Sequence, residues 1–185
     1  VAGSLKYDTA QIADKVKGSD ELAAKLNIKQ KERLLVAGAT GDNEEELLLK
    51  VYTELTANPN FKDLRLAVIP RKPERFDQVA RLISRSGLPA IRYSQFKNNP
   101  SPPQVDNRAV LLGDTMGDLR KFYSLATVIF VGRSLVPMGG SDMAEAAALG
   151  KCTIFGPYTF NFNQTVDDLL TDNGAIQVKD AEQLF

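Results

Sequence analysis

Several short stretches of this chain are apolar on successive positions, not on alternate ones: residues 34–37, 64–69, 110–112, 128–131 and 153–155. A strand with one face in water shows a polar residue at every second position, so such runs suit strands covered on both faces, as in a parallel sheet. Amphipathic stretches separate them. Residues 44–57 carry Leu47, Val51 and Leu55 at four-residue spacing, and residues 73–85 carry Phe76, Val79, Ala80 and Ile83; both predict helices that lay one face on the sheet. Pro73 suits the first turn of its helix and Gly87 the exit. A further short strand is expected at 90–93, and residues 97–107, with three prolines and three asparagines, read as an exposed loop. Strand and helix in alternation imply right-handed crossovers and a doubly wound, Rossmann-like parallel α/β domain. Residues 1–30 are polar and helix-prone, with Leu22 and Leu26 one turn apart, and read as a lead-in or interdomain segment, not as core. The chain opens on Val1 and closes in a new helix at 180–184, so residues 31–185 read as an excised domain.

Composition removes whole classes of chemistry. With 185 residues, 43% of them hydrophobic, the chain can bury one sizeable core without disulfides or metals. It has no histidine and one cysteine, Cys152, which excludes an internal disulfide, a plausible zinc site and any histidine-dependent triad within this chain. Cys152 lies in an apolar stretch and reads as a packed small residue. Basic and acidic residues number 23 each, which argues against a broad basic surface for nucleic acid. The charge is nevertheless uneven: residues 1–100 hold 17 basic and 13 acidic groups, and residues 101–185 hold 6 and 10. No apolar run approaches the roughly 20 residues that span a bilayer, and no signal peptide precedes the fold, so a soluble fragment is expected.

In doubly wound sheets ligands bind beyond the carboxyl ends of the strands, so the residues that follow each strand are the candidates. After 34–37 come Gly38, Gly41 and then Glu44, Glu45 and Glu46. Three glutamates favour a helix N-terminus but repel a phosphate, so a structural turn fits better, and neither a GxGxxG nor a Walker lysine motif is present. After 64–69 come Pro70, Arg71 and Lys72, two cations before a helix; Arg71 is the preferred anion contact, with a surface pair to Glu74 as the bland alternative. After 110–112, Thr115 and Asp118 have capping-box spacing, and Met116 and Gly117 can floor a ligand. After 128–131, Gly139 and Gly140 let a ligand near the backbone and Ser141 is placed to cap the next helix, whose N–H groups face a phosphate. Glu145 lies one turn further, within reach of a sugar's hydroxyls, unless it is solvated or paired in the structure. The aromatic run after 153–155 suits a pocket wall or core packing equally.

Taken together, residues 3–8, IPRKPERF at 69–76, LLGDTMGDL at 111–119, SLVPMGG at 134–140 and FGPYTFNF at 155–162 resemble the 3-deoxy-D-manno-octulosonic acid (Kdo) transferase family. The resemblance implies the C-terminal half of a GT-B glycosyltransferase that transfers Kdo from CMP-Kdo to a lipid A precursor in lipopolysaccharide synthesis, with no cofactor and no metal. It implies contacts from Pro70 and Arg71 to the nucleotide, Met116 and Gly117 beside it, Gly139, Gly140, Ser141 and Asp142 around the phosphate, and Glu145 at the ribose. The general base, the acceptor and the membrane contact belong in that family to the N-terminal domain, at the cytoplasmic face of the inner membrane, so this segment alone is expected to be inactive.

The sequence departs from the family pattern at four places. Lys72 and Ser141 stand where histidine is usual, Asp142 replaces an asparagine and Tyr158 replaces a histidine. A carboxylate at 142 is expected to repel a bound phosphate unless Arg71, Lys72 or Arg133 compensates. Two other readings therefore stay open: a GT-B domain whose nucleotide site has decayed, and a GT-B transferase using another sugar nucleotide.

Overall fold

The computed structural model describes residues 16–99 and 108–184. In chain order the elements are α1 (Ser19–Lys25), β1 (Leu34–Thr40), α2 (Glu44–Ala57), β2 (Arg65–Pro70), α3 (Phe76–Arg85), β3 (Ala90–Arg92), β4 (Val110–Leu112), α4 (Leu119–Leu125), β5 (Val128–Val131), α5 (Met143–Ala147), β6 (Cys152–Phe155), α6 (Asn163–Thr171), β7 (Ile176–Gln177) and α7 (Ala181–Leu184). The strands form one sheet in the order β3-β4-β2-β1-β5-β6-β7, and every pairing is parallel. All seven residues of β1 and all six of β2 are buried.

Alternate residues of β1 enter different cores, which explains why its run is continuously apolar. Leu34 and Val36 pack with Leu22, Phe122, Tyr123, Ala146 and Val166, whereas Leu35 and Ala37 pack with Leu48, Leu49, Tyr52, Val79 and Ile83. The sheet is thus covered on both faces, as a parallel sheet must be. From β1 the chain moves to β2 on one side and later reaches β5 on the other, so the crevice between the carboxyl ends of β1 and β5 is the topological switch point.

Several expectations need correction. Leu22 and Leu26 are fully buried in the core, because α1 packs against α4 and closes that face; residues 19–26 are part of the domain and not a lead-in to it. The buried face of α2 is Leu48, Leu49, Val51 and Tyr52, with Leu47 and Leu55 only half-buried, since the helix also turns Glu44 and Glu45 inward. Cys152 is exposed: it opens β6 beside Val128, and β7 reaches only Ile154 and Phe155, leaving the first residue of the strand uncovered on that side. Of the predicted loop, residues 97 and 98 lie in a turn, residues 100–107 lie outside the described residues, and so does the 3–8 motif. Among the described residues no helix is long and apolar enough to cross a membrane.

Candidate functional site

A cavity of about 390 Å³ opens at the switch point. Its lining comes from every neighbouring strand end: Ala39 of β1, Arg71 after β2, Leu119 and Tyr123 of α4, Arg133 and residues 140–142 after β5, Glu145 of α5, and Asn161 and Phe162 after β6. Its volume falls in the usual range for small-molecule sites. A second hollow, of about 560 Å³, lies where strands begin, between α1 and the end of α4.

Buried carboxylates set the shape of the first cavity. Glu44 is fully buried and accepts four backbone N–H groups, from Gly41 (3.1 Å), Arg133 (2.6 Å), Ser134 (2.9 Å) and Leu135 (3.0 Å), so it pins the β5–α5 loop to the start of α2. Burial pushes its pKa above 4.5, while the four N–H groups pull the other way. Glu45, also fully buried, accepts Thr40 Oγ1 at 2.8 Å and both terminal nitrogens of Arg75 at 2.7 and 3.1 Å. These two residues act as structural anchors, as the turn reading expects, and tie down the residues on which the cavity rests.

The loop between β5 and α5 then reverses sharply. Gly139 and Gly140 have φ of 85° and 82°, and a Cβ on Gly139 would come within 2.1 Å of Asn161 Nδ2. Gly140 N–H donates to Arg133 O at 2.8 Å. The residue that caps α5 is Asp142, not Ser141: its Oδ1 accepts the N–H groups of Ala144 (3.0 Å) and Glu145 (3.3 Å). The helix therefore starts one residue later than expected, and two of the N–H donors foreseen for a phosphate, those of Ala144 and Glu145, are already engaged. Ser141 Oγ instead donates to Ala39 O at 3.3 Å, across the switch point. Ala39 itself sits at φ 55°, at the irregularity where the β1–β2 register shifts.

Among the described residues, the Arg71 side chain makes no hydrogen bond or ion pair, while its N–H donates to Thr40 O at 3.0 Å. The pairing foreseen with Glu74 belongs to Lys72, at 3.9 Å. Arg133 is held with φ 61° and its guanidinium donates to Met138 O at 3.1 Å. Glu145 is half-buried, and burial and the nearby Asp142 raise its pKa, with Arg120 and Arg71 opposing.

The cavity thus brings together Arg71, Gly140, Ser141, Asp142 and Glu145. Pro70 is buried at the end of β2, and Gly139 flanks the lining without joining it. Met116, 61% exposed, and Gly117, at φ 82°, stand on the loop after β4 outside the lining. Thr115 and Asp118 form no capping box. Asp118 makes no side-chain cap bond and accepts Thr115 Oγ1 at 2.6 Å and the ammonium groups of Lys97 and Lys121 at 2.7 Å. Tyr123 escapes the sequence reading altogether, because within Phe122-Tyr123 on an amphipathic helix nothing distinguishes it from core.

A parallel α/β sheet with its cleft at this switch point is the architecture of the Rossmann-like half of a GT-B glycosyltransferase. No family model matches the chain. It is 34% identical over 183 residues to the 3-deoxy-D-manno-octulosonic acid transferase of Haemophilus influenzae, covering 96% of this chain and 40% of that protein. It is 32% identical over 182 residues to the enzyme of the same name from Bordetella pertussis, covering 98% and 41%. The C-terminal CMP-Kdo binding domain of WaaA from Acinetobacter baumannii superposes with a TM-score of 0.79 at 29% identity, over 91% of this chain and 83% of that one. The chain is thus a homologue of the Kdo transferases, with the fold of a GT-B C-terminal domain, and spans about 40% of the length of the two relatives.

Proposed function

We propose that this domain holds the CMP portion of CMP-Kdo within a transferase that delivers Kdo to a lipid A precursor at the cytoplasmic face of the bacterial inner membrane. The observation that carries this reading is the convergence of Arg71, Gly140 and Glu145 on one cavity at the switch point, in a homologue of Kdo transferases. In this reading Arg71 and Arg133 face the phosphate, Gly139 and Gly140 let it approach the backbone, and Glu145 accepts from the ribose. Pro70, Met116 and Gly117 border the base, and an N-terminal domain supplies the general base and the acceptor. An acceptor hydroxyl then attacks the anomeric carbon, and the departing phosphate is stabilised by the cations left unneutralised at the cavity. Ser141 and Asp142, which shape the loop and hold α5, line the same cavity beside the phosphate. With its Oδ1 on two helix N–H groups, Asp142 caps α5, a role that an asparagine fills equally well.

Calorimetric titration of the full-length protein with CMP, UMP and UDP tests the proposal. Saturable CMP binding, weakened about ten- to hundredfold in Arg71→Ala through loss of a charge-assisted contact, is expected. Tighter binding of UDP would point to another donor, and no binding of any nucleotide would refute a working donor site.

A further inference from the structure

Among the polar groups that line the cavity, the Tyr123 phenol is one that the proposed contacts leave without a role. Tyr123 is 1% exposed, yet it lines the cavity, and its hydroxyl has no hydrogen-bond partner among the described residues. The ring is held in place by close packing on β1: a Cβ on Gly38 would come within 2.3 Å of both the hydroxyl oxygen and Cε1, so the phenol occupies the space the glycine leaves. A buried phenol without a partner is costly, and its remaining outlet is the cavity.

The neighbouring carboxylates decide what it faces. Burial, and the charges of Glu145, Asp142 and Glu44, push the Tyr123 pKa up, so the hydroxyl stays protonated and acts as a donor. Both oxygens of Glu44 are occupied by backbone N–H groups, and Asp142 Oδ1 is occupied by the start of α5. Glu145, by contrast, accepts nothing among the described residues. One wall of the cavity therefore presents a neutral donor on α4 beside an unengaged acceptor on α5. An anion there would meet the charges of Glu145 and Asp142. A sugar diol satisfies both groups, one hydroxyl donating to the carboxylate and the other accepting from the phenol.

We infer that Tyr123 is a ligand-binding residue, donating its hydroxyl to the ribose diol of the bound nucleotide opposite Glu145. This rests on the donor-site reading above. Full-length wild-type protein and Tyr123→Phe are titrated with CMP and with 2′,3′-dideoxy-CMP, and their melting temperatures are compared. The wild type should bind CMP more tightly than the dideoxy analogue. Tyr123→Phe should lose about fivefold in CMP affinity, change the analogue by less than twofold, and melt no lower than wild type. Equal loss with both nucleotides, no loss with either, or a lowered melting temperature would overturn the assignment while leaving CMP binding intact. Failure of the wild type to bind CMP would instead remove the donor-site reading, and this inference with it.

Discussion

Replacing Asp118 by asparagine should make the domain less stable at neutral pH by about 2 kcal/mol, an amount that follows from its environment. The side chain is almost completely buried. Burial alone would raise its pKa, but hydrogen bonds from Lys121, Lys97 and Thr115 outweigh that and hold it at about 2, against an ordinary value of 3.8. A depression of roughly two units is worth about 2 kcal/mol in favour of the charged, folded form. Because the folded value is the lower one, this stabilisation is complete above pH 3.8 and is lost as pH falls through about 2. Urea unfolding followed by far-ultraviolet circular dichroism, on wild type and Asp118→Asn at pH 7, 5 and 2.5, isolates the effect, since all other carboxylates titrate alike in both proteins. The gap between the two should be largest at pH 7 and 5 and should have closed substantially at pH 2.5. A gap that stays the same across the three pH values would show that the lysine contacts contribute nothing through charge.

Glu44→Gln puts an amide donor against two of the four N–H groups the carboxylate now accepts, so it should lower stability by about 2–4 kcal/mol and loosen the β5–α5 loop. Thermal melting and amide hydrogen exchange at residues 133–135 would check both effects. Gly38→Ala drives a methyl group into the rigid Tyr123 ring and should destabilise by about 1–3 kcal/mol, read as a lower urea midpoint. Cys152, at the uncovered start of β6, should react with a thiol reagent in the native protein without denaturant; protection until unfolding would contradict its placement.

Much of the architecture was legible because burial on two faces leaves a local mark. The stretches 110–112 and 128–131 and the helix at 44–57 occupy the positions their patterns predict, since strand and helix periodicity depend on neighbours a few residues apart. The rule that ligands gather at strand ends pointed to Arg71, Gly140 and Glu145 as a group, and these residues line one cavity. Roles that depend on distant partners were not legible. Ser141 looks like a helix cap, but its hydroxyl is drawn to Ala39, 102 residues away, leaving Asp142 as the cap. Glu44 looks like an ordinary first-turn acid, yet it reaches Ser134, 90 residues on. Leu22 and Leu26 look peripheral until α1 packs against α4.

Amino-acid order settled which segments are strands and helices and which strand ends carry cations, glycines and carboxylates, because those properties are encoded over a turn or two of chain. Folding settled which of these groups meet, which donors and acceptors are already satisfied, and which, like the Tyr123 hydroxyl, are left without a partner among the described residues. Hydrogen bonds are short-ranged, and only the order of strands in the sheet brings such partners within reach of one another.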